Sequence, residues 1–299
     1  MDRRGKNILV VRQDRLGDAI NAVAVLKYLR RNLPDARIGF MTAPSLAGLF
    51  REQRYADDVV SYDANLFRLA AALRRGRYDA VLMLKPAKAL AWASLFAGIG
   101  AKAGLGWRPY YPLTGFRSGY PELAADEAHE IDFNLAVAKK LFPGRSGDIV
   151  PELTLDDELK QGARRDLADH KLEWPVALLP ANRGSSPNWP AEAYAALAEA
   201  LRLRGVAVAV VGGPGEQELL RRAAGRSQAP QLGPDRSLPQ LAALLMQCRA
   251  VVASSTGTLH LAAAVGTPTI GLFCAAPASR PQRWAPLGAA HVQLTPHGG

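Results

Sequence analysis

This chain of 299 residues has few cysteines, no metal-ligand spacing and no long apolar segment. Each of these absences argues against one class of protein. The two cysteines, Cys248 and Cys274, form neither a disulfide framework nor a zinc-site spacing, which is typical of a reducing cytoplasm. The longest apolar stretch, residues 89–101, is shorter than the about 20 residues that span a bilayer. No apolar signal segment precedes the first predicted strand. We therefore predict a cytoplasmic protein without a metal site, with peripheral contact at the inner face of the inner membrane as a minor alternative.

Acidic residues are fewer than basic ones. The chain has 37 Lys and Arg against 27 Asp and Glu, a net charge of +10. This surplus favours acidic partners such as nucleic acid, anionic lipid or phosphorylated small molecules. The basic residues are scattered in pairs, as at Arg30-Arg31 and Arg221-Arg222, and only 7% of residues are aromatic. With no single basic stripe and no recognised nucleic-acid motif, nucleic-acid binding is the least favoured of these classes.

The first half of the chain alternates apolar strands with helices, joined by short connections. Strands are predicted at 7–12, 37–41, 58–62 and 80–84, and helices at 18–32, 45–52, 66–75, 87–97 and 129–141. Such alternation indicates a parallel sheet covered by helices on both faces. Residues 104–122 are rich in glycine, proline and aromatic residues, so we predict an irregular loop there.

The alternation begins again after residues 142–148, the best candidate for a linker. Strands are predicted at 176–179, 206–211, 250–253 and 269–273, and helices at 189–204, 216–224, 238–248 and 259–265. We therefore predict two domains, residues 1–147 and 148–299. Two successive doubly wound units predict a ligand cleft between them, at the carboxyl ends of both sets of strands.

Four predicted loops follow strand ends and would face that cleft. The first, residues 13–18, ends on Asp18 at a helix start. Its carboxylate either caps the helix or acts as a general base that the helix N-terminus keeps ionised, and the two roles are compatible. The second, residues 180–188, carries Arg183, whose planar guanidinium can pair with a phosphate, although an arginine in a surface loop is more often solvated.

The other two loops are a glycine-rich turn and a hydroxyl-rich turn. The GGPG sequence of residues 212–215 can admit a nucleotide, but alone it is a weak signal. The turn at residues 255–257 opens a helix rich in Ala and Leu whose free N–H groups favour an anion, with His260 in its first turn. The plainer alternative is that Ser255 or Thr256 only caps the helix and that His260 lies on the surface. The sequence contains no Walker motif and no nucleophile elbow.

Four segments in sequence resemble one known family: VVRQDRLGDAINAVAVLKYLRRNLPDARI, NWPAEAYAALAEAL, VVGGPGE and SSTGTLHLAAAVGTPTIGLF. They resemble the bacterial heptosyltransferases of glycosyltransferase family 9, in the family's order and over nearly the whole chain. The resemblance implies an α/β fold of the GT-B type, with two Rossmann-like doubly wound parallel-sheet domains facing a cleft. The N-terminal domain would bind the acceptor and the C-terminal domain the nucleotide-sugar donor.

The same resemblance implies a reaction and roles for particular residues. It implies inverting transfer, without metal or other cofactor, of a heptose or related sugar from ADP-heptose to a lipopolysaccharide core or other cell-envelope glycan. Asp18 matches the catalytic base. Together with the loop candidates, the predicted donor-binding residues are Arg183, Ser185, Gly212, Gly213, Ser255, Thr256, Gly257, Thr258 and His260. The cations predicted to attract an anionic glycolipid or glycan acceptor are Arg12, Arg15 and Lys85.

Two positions depart from the family pattern. Ser255 stands where the family usually has Asp, and Pro187-Asn188 stands where it often has Lys before Trp189-Pro190. Both changes fall in the predicted donor site. They leave two alternatives open beside an active heptosyltransferase. One is a nucleotide-sugar-binding member with changed or lost activity, and the other is a GT-B enzyme with a different donor sugar or reaction, such as a sugar-nucleotide epimerase.

Overall fold

The computed structural model describes residues 6–122, 124, 126–147, 149–182, 184, 187–274, 276, 280–288 and 290–295. The chain divides into two compact units, Met1–Pro151 and Glu152–Gly299. The division falls a few residues beyond the boundary predicted from the sequence, just after the linker-like segment. We refer to these as unit 1 and unit 2.

Unit 1 is a parallel sheet with helices between its strands. Its strands are β1 (Asn7–Arg12), β2 (Arg37–Thr42), β3 (Asp58–Ser61), β4 (Ala80–Met83), β5 (Ala101–Leu105) and β6 (Arg117–Gly119). Its helices are α1 (Leu16–Asn32), α2 (Ala47–Phe50), α3 (Leu66–Gly76), α4 (Lys88–Phe96), α5 (Tyr111–Thr114) and α6 (Glu130–Leu141). The strand order is β3-β2-β1-β4-β5-β6, with parallel pairing throughout. This is the doubly wound order, in which the chain changes direction across the sheet between β1 and β4.

The centre of unit 1 is apolar because its central strand and first helix carry almost continuous apolar sequence. The last five residues of β1 are fully covered, and most of α1 is buried. Helix α1 packs against α6, the last helix of the unit. The hydroxyl of Tyr28 in α1 donates a 2.6 Å hydrogen bond to the carbonyl of Phe142, directly after α6. This contact fixes the C-terminal ends of the two helices against each other.

The prediction of an irregular loop at residues 104–122 is wrong in part. The segment contains the end of β5, the short helix α5 and the three-residue strand β6. Strand β6 has the sequence RSG, which lacks alternating apolar residues, so a strand could not be predicted there from the sequence. Its position at the sheet edge explains why so little apolar sequence is needed. A Cβ atom at Gly119 would lie 2.8 Å from Cα of Val137, so glycine allows α6 to approach this strand closely.

Unit 2 repeats the design of unit 1. Its strands are β7 (Val176–Leu179), β8 (Val208–Val211), β9 (Gln231–Leu232), β10 (Ala250–Ser254), β11 (Thr269–Leu272) and β12 (His291–Leu294). Its helices are α7 (Asp157–Asp169), α8 (Ala191–Leu203), α9 (Gln217–Ala224), α10 (Leu238–Met246), α11 (Gly257–Ala264) and α12 (Pro281–Trp284). The strand order is β12-β11-β10-β7-β8-β9. Counted within the unit, this is the same order as in unit 1, and the change of direction lies between β7 and β10.

Four elements of unit 2 were not predicted: α7, β9, α12 and β12. Helix α7 buries only Ala163 and Leu167 and is otherwise polar, so it lacks the apolar stripe that marks a helix in sequence. Strand β12 lies at the sheet edge and is mostly exposed, and β9 has two residues. The missed elements are thus those that carry little of the core. The two Rossmann-like sheets that define the predicted fold class are both present.

Candidate functional site

The first group of polar residues lies at the carboxyl edge of the unit 1 sheet, where the chain changes direction between β1 and β4. Strand β1 ends at Arg12, the loop to α1 contains Asp14, and Asp18 lies in the first turn of α1. Lys85 follows β4 on the neighbouring side. Crevices at such points are where doubly wound sheets bind ligands.

Arg12 is the centre of this group, with only 3% of its surface exposed. Its Nε donates to Asp14 Oδ1 at 2.7 Å, and its Nη2 donates to Asp18 Oδ1. Its Nη1 donates to Glu130 Oε1 and to Asn134 Oδ1, both at 2.9 Å. A guanidinium has five N–H donors in a fixed plane, so one buried arginine can bind all of these oxygens at once. We call Arg12, Asp14, Asp18, Glu130 and Asn134 the Arg12 cluster.

Charge in the Arg12 cluster is unbalanced, because one buried cation faces three carboxylates. Burial raises the pKa of Asp18, and the carboxylates of Asp14 and Glu130 raise it further, whereas Arg12 and Lys85 lower it; the resulting pKa is about 6. Burial by itself lowers the pKa of Arg12, but Asp18, Asp14 and Glu130 raise it above its usual range. Asp18 is therefore an ionised but readily protonated carboxylate at neutral pH, as a general base requires.

Asp18 lies in the first turn of α1 but is not its N-cap residue. The N-cap position of α1 belongs to Arg15, and Asp18 is the third residue of the helix. Its carboxylate meets Arg12. The negative charge still lies beside the positive end of the helix dipole, which favours the ionised form.

The three predicted acceptor-binding cations have different surroundings. Arg12 is buried and its contacts are with the protein itself, so its placement departs from the prediction that it faces an anionic acceptor. Arg15 is exposed at the start of α1. Lys85 is also exposed, with its Nζ 3.6 Å from Asp14 Oδ2. Arg15 and Lys85 therefore remain candidates for an anionic ligand near Asp18.

The second group lies at the matching edge of unit 2, between β7 and β10. Ser254, the last residue of β10, donates from its hydroxyl to Asn188 Oδ1 at 2.6 Å. The Asn188 amide donates in turn to the carbonyl of Pro180, directly after β7. The Tyr194 hydroxyl of α8 lies 3.4 Å from the Ser254 hydroxyl. These contacts join β10, α8 and both ends of the loop at residues 180–188, so they hold the base of that loop.

The N-terminus of α11 lies beside this group. Thr256 occupies the N-cap position, yet its side chain makes no capping hydrogen bond, and its hydroxyl lies 2.8 Å from that of Thr258. His260, one turn into the helix, is only 5% exposed, so the alternative that it lies on the surface is wrong. Helix N-termini carry free N–H groups that bind anions. A hydroxyl-lined helix start without a side-chain cap suits that role.

The glycine turn after β8 is the third predicted donor segment. The backbone N–H of Gly213 donates to Glu216 Oε2 at 2.7 Å, so in this structure it is used within the turn and not directed to a ligand. A Cβ atom at Gly212 would lie 2.6 Å from Cδ2 of Leu220, which explains this glycine by the close packing of α9. Arg183 and Ser185, the other predicted donor residues, lie outside the described residues. Ser255 and Gly257 lie at the start of α11, as predicted.

Glu130 and Asn134 are not among the predicted site residues, although the sequence contains a signal for them. Both are buried, and they lie one turn apart on α6, among Ile131, Leu135 and Ala138. A carboxylate and an amide on the buried side of an apolar helix need a polar partner, because an unpaired buried charge is costly. The buried partner in this structure is Arg12.

In the part of the chain that the structure describes, no group of three or more His, Cys, Asp and Glu residues is arranged to hold a metal ion. In the same part, no helix combines the length and the apolar character needed to cross a membrane.

Comparisons with known proteins point to one family. The family model described as glycosyltransferase family 9 (heptosyltransferase) matches residues 66–297. Lipooligosaccharide heptosyltransferase 2 of Haemophilus influenzae is 27% identical, over 89% of this chain and 83% of its own. Lipopolysaccharide heptosyltransferase 3 of Escherichia coli is 26% identical, over 86% of this chain and 80% of its own. Both similarities extend over most of each chain.

Solved structures share the fold at lower identity. A glycosyl transferase family 9 protein from Veillonella parvula superposes with a TM-score of 0.86 at 20% identity, covering 99% of this chain and 87% of its own. E. coli ADP-heptose lps heptosyltransferase II has a TM-score of 0.80 at 22% identity, covering 98% and 91%. These similarities agree with two Rossmann-like domains of the GT-B class.

Proposed function

This chain belongs to glycosyltransferase family 9, the heptosyltransferase family, and we propose that it transfers a heptose from ADP-heptose to the sugar core of lipopolysaccharide. The proposed transfer inverts the anomeric configuration and needs no metal ion. The observation that carries the proposal is Asp18, a buried carboxylate with its pKa raised to about 6, at the ligand-binding edge of a doubly wound sheet. Relatives named as lipooligosaccharide or lipopolysaccharide heptosyltransferases support the choice of sugar and acceptor.

Asp18 acts in this proposal as the general base. Its carboxylate takes the proton of an acceptor hydroxyl while that oxygen forms a bond to the anomeric carbon of the donor. The bond from this carbon to the diphosphate oxygen breaks, and its electron pair leaves with ADP. One displacement of this kind inverts the anomeric centre. A base with a pKa near 6 is ionised at neutral pH and still accepts a proton well, because catalysis is most efficient when the pKa lies near the working pH.

Unit 2 binds the donor in this proposal, at the start of α11. The diphosphate would lie against the N–H groups and the hydroxyls of Thr256 and Thr258, and His260 lies one turn further along. These fixed donors also stabilise the charge that grows on the leaving ADP. Ser255 carries no charge where the family usually has Asp, so the donor sugar meets a neutral side chain at this position.

Unit 1 binds the acceptor. Arg15 and Lys85 are exposed cations beside the Arg12 cluster, and in this proposal they bind carboxylate or phosphate groups of an inner-core saccharide. Lys85 also lies near Asp14, so a bound anion and Asp14 compete for the same ammonium group. Acceptor binding is therefore expected to weaken as the salt concentration rises.

A transfer assay tests the proposal. The purified protein is incubated with ADP-heptose and a lipopolysaccharide precursor that lacks heptose, with and without a chelator, and the product is analysed by mass spectrometry. We expect a mass gain of one heptose that the chelator does not change, and NMR of the product to show the inverted anomeric configuration. ADP release without a glycosylated product, retention of configuration, or activity with UDP-sugars alone would contradict it.

We also propose that the enzyme contacts the inner membrane peripherally, where such an acceptor is anchored. Phe67 of α3 is 79% exposed and Phe96 of α4 is 47% exposed, and these helices pack on each other. Arg74 of α3 donates to the carbonyl of Phe96, so positive charge lies beside exposed aromatic surface. Sedimentation with vesicles tests the contact. We expect binding to vesicles with anionic lipid, weaker binding for the double variant Phe67→Ser and Phe96→Ser, and none to neutral vesicles; equal sedimentation of both proteins would contradict the proposal.

A further inference from the structure

Helix α6 is linked to the proposed base, Asp18, through Arg12, although the helix lies far from Asp18 in sequence. Its first residue, Glu130, and Asn134 one turn later both accept hydrogen bonds from Nη1 of Arg12 at 2.9 Å. The Nη2 of the same guanidinium donates to Asp18. Because the guanidinium is rigid and planar, fixing Nη1 also fixes the direction of Nη2.

Helix α6, which carries Glu130, is held in place at both of its ends. A capping box starts the helix: His129 Nδ1 accepts from the N–H of Ile131 at 3.2 Å, and Asp132 accepts from the N–H of His129 at 2.9 Å. The hydrogen bond from Tyr28 to the carbonyl of Phe142 holds the other end against α1. Glu130 therefore meets Arg12 as part of a packed helix, and not as a mobile surface side chain.

Four charged groups act on the carboxylate of Asp18, and they come from four different segments of unit 1. Arg12 comes from β1, Asp14 from the loop before α1, Lys85 from the segment after β4, and Glu130 from α6. Burial is the largest cause of the raised pKa of Asp18, and the negative charges of Asp14 and Glu130 add to it. Like charges close together disfavour ionisation of one of them. His129 lies next to Glu130, so it also requires a control.

We propose that Glu130 and Asn134 are positioning residues for glycosyl transfer. Through Arg12 they orient the carboxylate of Asp18, and the charge of Glu130 makes that carboxylate a stronger base. The inference rests on the proposed role of Asp18 as the base. Neither residue contacts a substrate in this proposal, and both act through the guanidinium of Arg12.

Two nearly isosteric substitutions change the charge of the cluster in opposite directions. Glu130→Gln keeps an oxygen for Arg12 but removes a negative charge, so the pKa of Asp18 should fall by roughly half a unit to one unit. Asn134→Asp adds a negative charge at the same guanidinium nitrogen, so that pKa should rise by a similar amount. A purely structural role of α6 would not give shifts of opposite sign.

The shifts are measured directly by NMR on protein whose aspartate is isotope-labelled at the side-chain carboxyl carbon. Asp18 is assigned as the signal missing from the Asp18→Asn variant, and its chemical shift is followed against pH. The readout needs no substrate, so it remains valid if the proposed donor or acceptor is wrong. Shifts of opposite sign support the inference, and an unchanged midpoint in either folded variant overturns it. If one of the two variants does not fold, the other decides alone.

Two control variants test whether a change in the titration midpoint of Asp18 arises within the Arg12 cluster. Lys139→Gln changes one charge on the exposed side of α6, and we expect no change of the Asp18 midpoint. His129→Asn keeps a residue that caps helices well but cannot titrate near neutral pH. We expect the Asp18 midpoint to persist in this variant, and its loss would assign the titration to His129 and overturn the inference.

Kinetic measurements test whether the Arg12 cluster affects the rate of glycosyl transfer. In Glu130→Gln, the acid limb of the kcat profile should move down in pH with the Asp18 midpoint, while the KM for the donor stays unchanged. Arg12→Lys keeps the charge but loses the planar fork, so we expect kcat to fall about tenfold or more, with little change in the donor KM. Full activity in Asp18→Asn would remove the base and this inference with it. A kcat profile for Glu130→Gln identical to that of the wild type, with Asp18→Asn inactive, would overturn the inference alone.

Discussion

The two units have the same strand order but opposite chemistry at the same point of the sheet. In unit 1, the edge between β1 and β4 holds a buried cation among three carboxylates. In unit 2, the edge between β7 and β10 holds hydroxyls, an amide and the start of α11, and the described side chains that join there are uncharged. The hydrogen bonds at one edge therefore join charged side chains, and those at the other edge join neutral ones, with His260 one turn into α11.

The difference follows from what each edge is proposed to bind. A diphosphate brings its own negative charge, so fixed N–H and hydroxyl groups suffice to bind it. A neutral hydroxyl brings only a proton to be removed, so the protein must supply the charge itself. The same backbone serves both tasks because the chemistry lies in a few residues at the strand ends.

The largest expected effect comes from removing the base in unit 1. Asp18→Asn keeps an oxygen that can accept from Arg12 but loses the proton acceptor. We expect kcat to fall about 100- to 10,000-fold, as for other general bases. Calorimetric titration with ADP should give the wild-type affinity, because unit 2 is untouched. Asp157→Asn, on an exposed carboxylate of α7, is the control for loss of a charge, and an active Asp18→Asn enzyme would refute the assignment.

In unit 2, the matching change removes a hydroxyl at the start of α11. Thr258→Val keeps the branched shape but loses a hydrogen-bond donor, so we expect ADP to bind about tenfold more weakly, the size of one hydrogen bond to a charged group. Thr258→Ser retains the hydroxyl and should bind ADP normally. The titration midpoint of Asp18 should be unchanged in both variants. Equal ADP affinity in the valine and serine variants would place the diphosphate elsewhere.

The pH dependence of turnover tests whether the proton acceptor lies in unit 1. Asp18 must be ionised to accept a proton, and its pKa is about 6. We therefore expect kcat to be level above pH 7 and to fall with unit slope below pH 6, measured at saturating donor and acceptor. In Thr258→Val, the curve should have the same midpoint. An acid limb near pH 4, the ordinary range of aspartate, would show that burial does not raise the pKa of this carboxylate.

The smallest expected effect is on stability. The folded-state pKa of Asp18, about 6, lies above the ordinary value of about 4. Folding is therefore disfavoured by ionised Asp18 above pH 6, and this cost disappears as the pH falls below the unfolded-state value. Replacing Asp18 with Asn should raise Tm relative to wild type by a few °C more at pH 8 than at pH 4. Calorimetry at the two pH values measures this, and the opposite sign would mean that Arg12 outweighs burial.

The sequence predicts the parts of the fold that carry the core. The apolar runs of β1, β4, β7 and β10 and their helices are where the pattern places them, and the hydroxyl turn does precede α11. Edge strands such as β6 and the polar helix α7 have no such pattern, so they were missed. Asp18 and the α11 turn could be picked out because both follow a strand. Glu130 could not be joined to them from sequence, since its contact with Arg12 links the first strand of unit 1 to its last helix.

The hydrogen bond between Arg12 and Glu130 depends on the order in which the parts of unit 1 fold. Arg12 and Glu130 are 118 positions apart, so their hydrogen bond forms only after nearly the whole unit has been made and brought together. Contacts at such separations form late, because closing a long loop costs entropy before any contact repays it. The part of the raised pKa of Asp18 that comes from the charge of Glu130 would therefore be acquired in one of the last steps of folding. During refolding, activity should return with the docking of α6, after most of the sheet has formed.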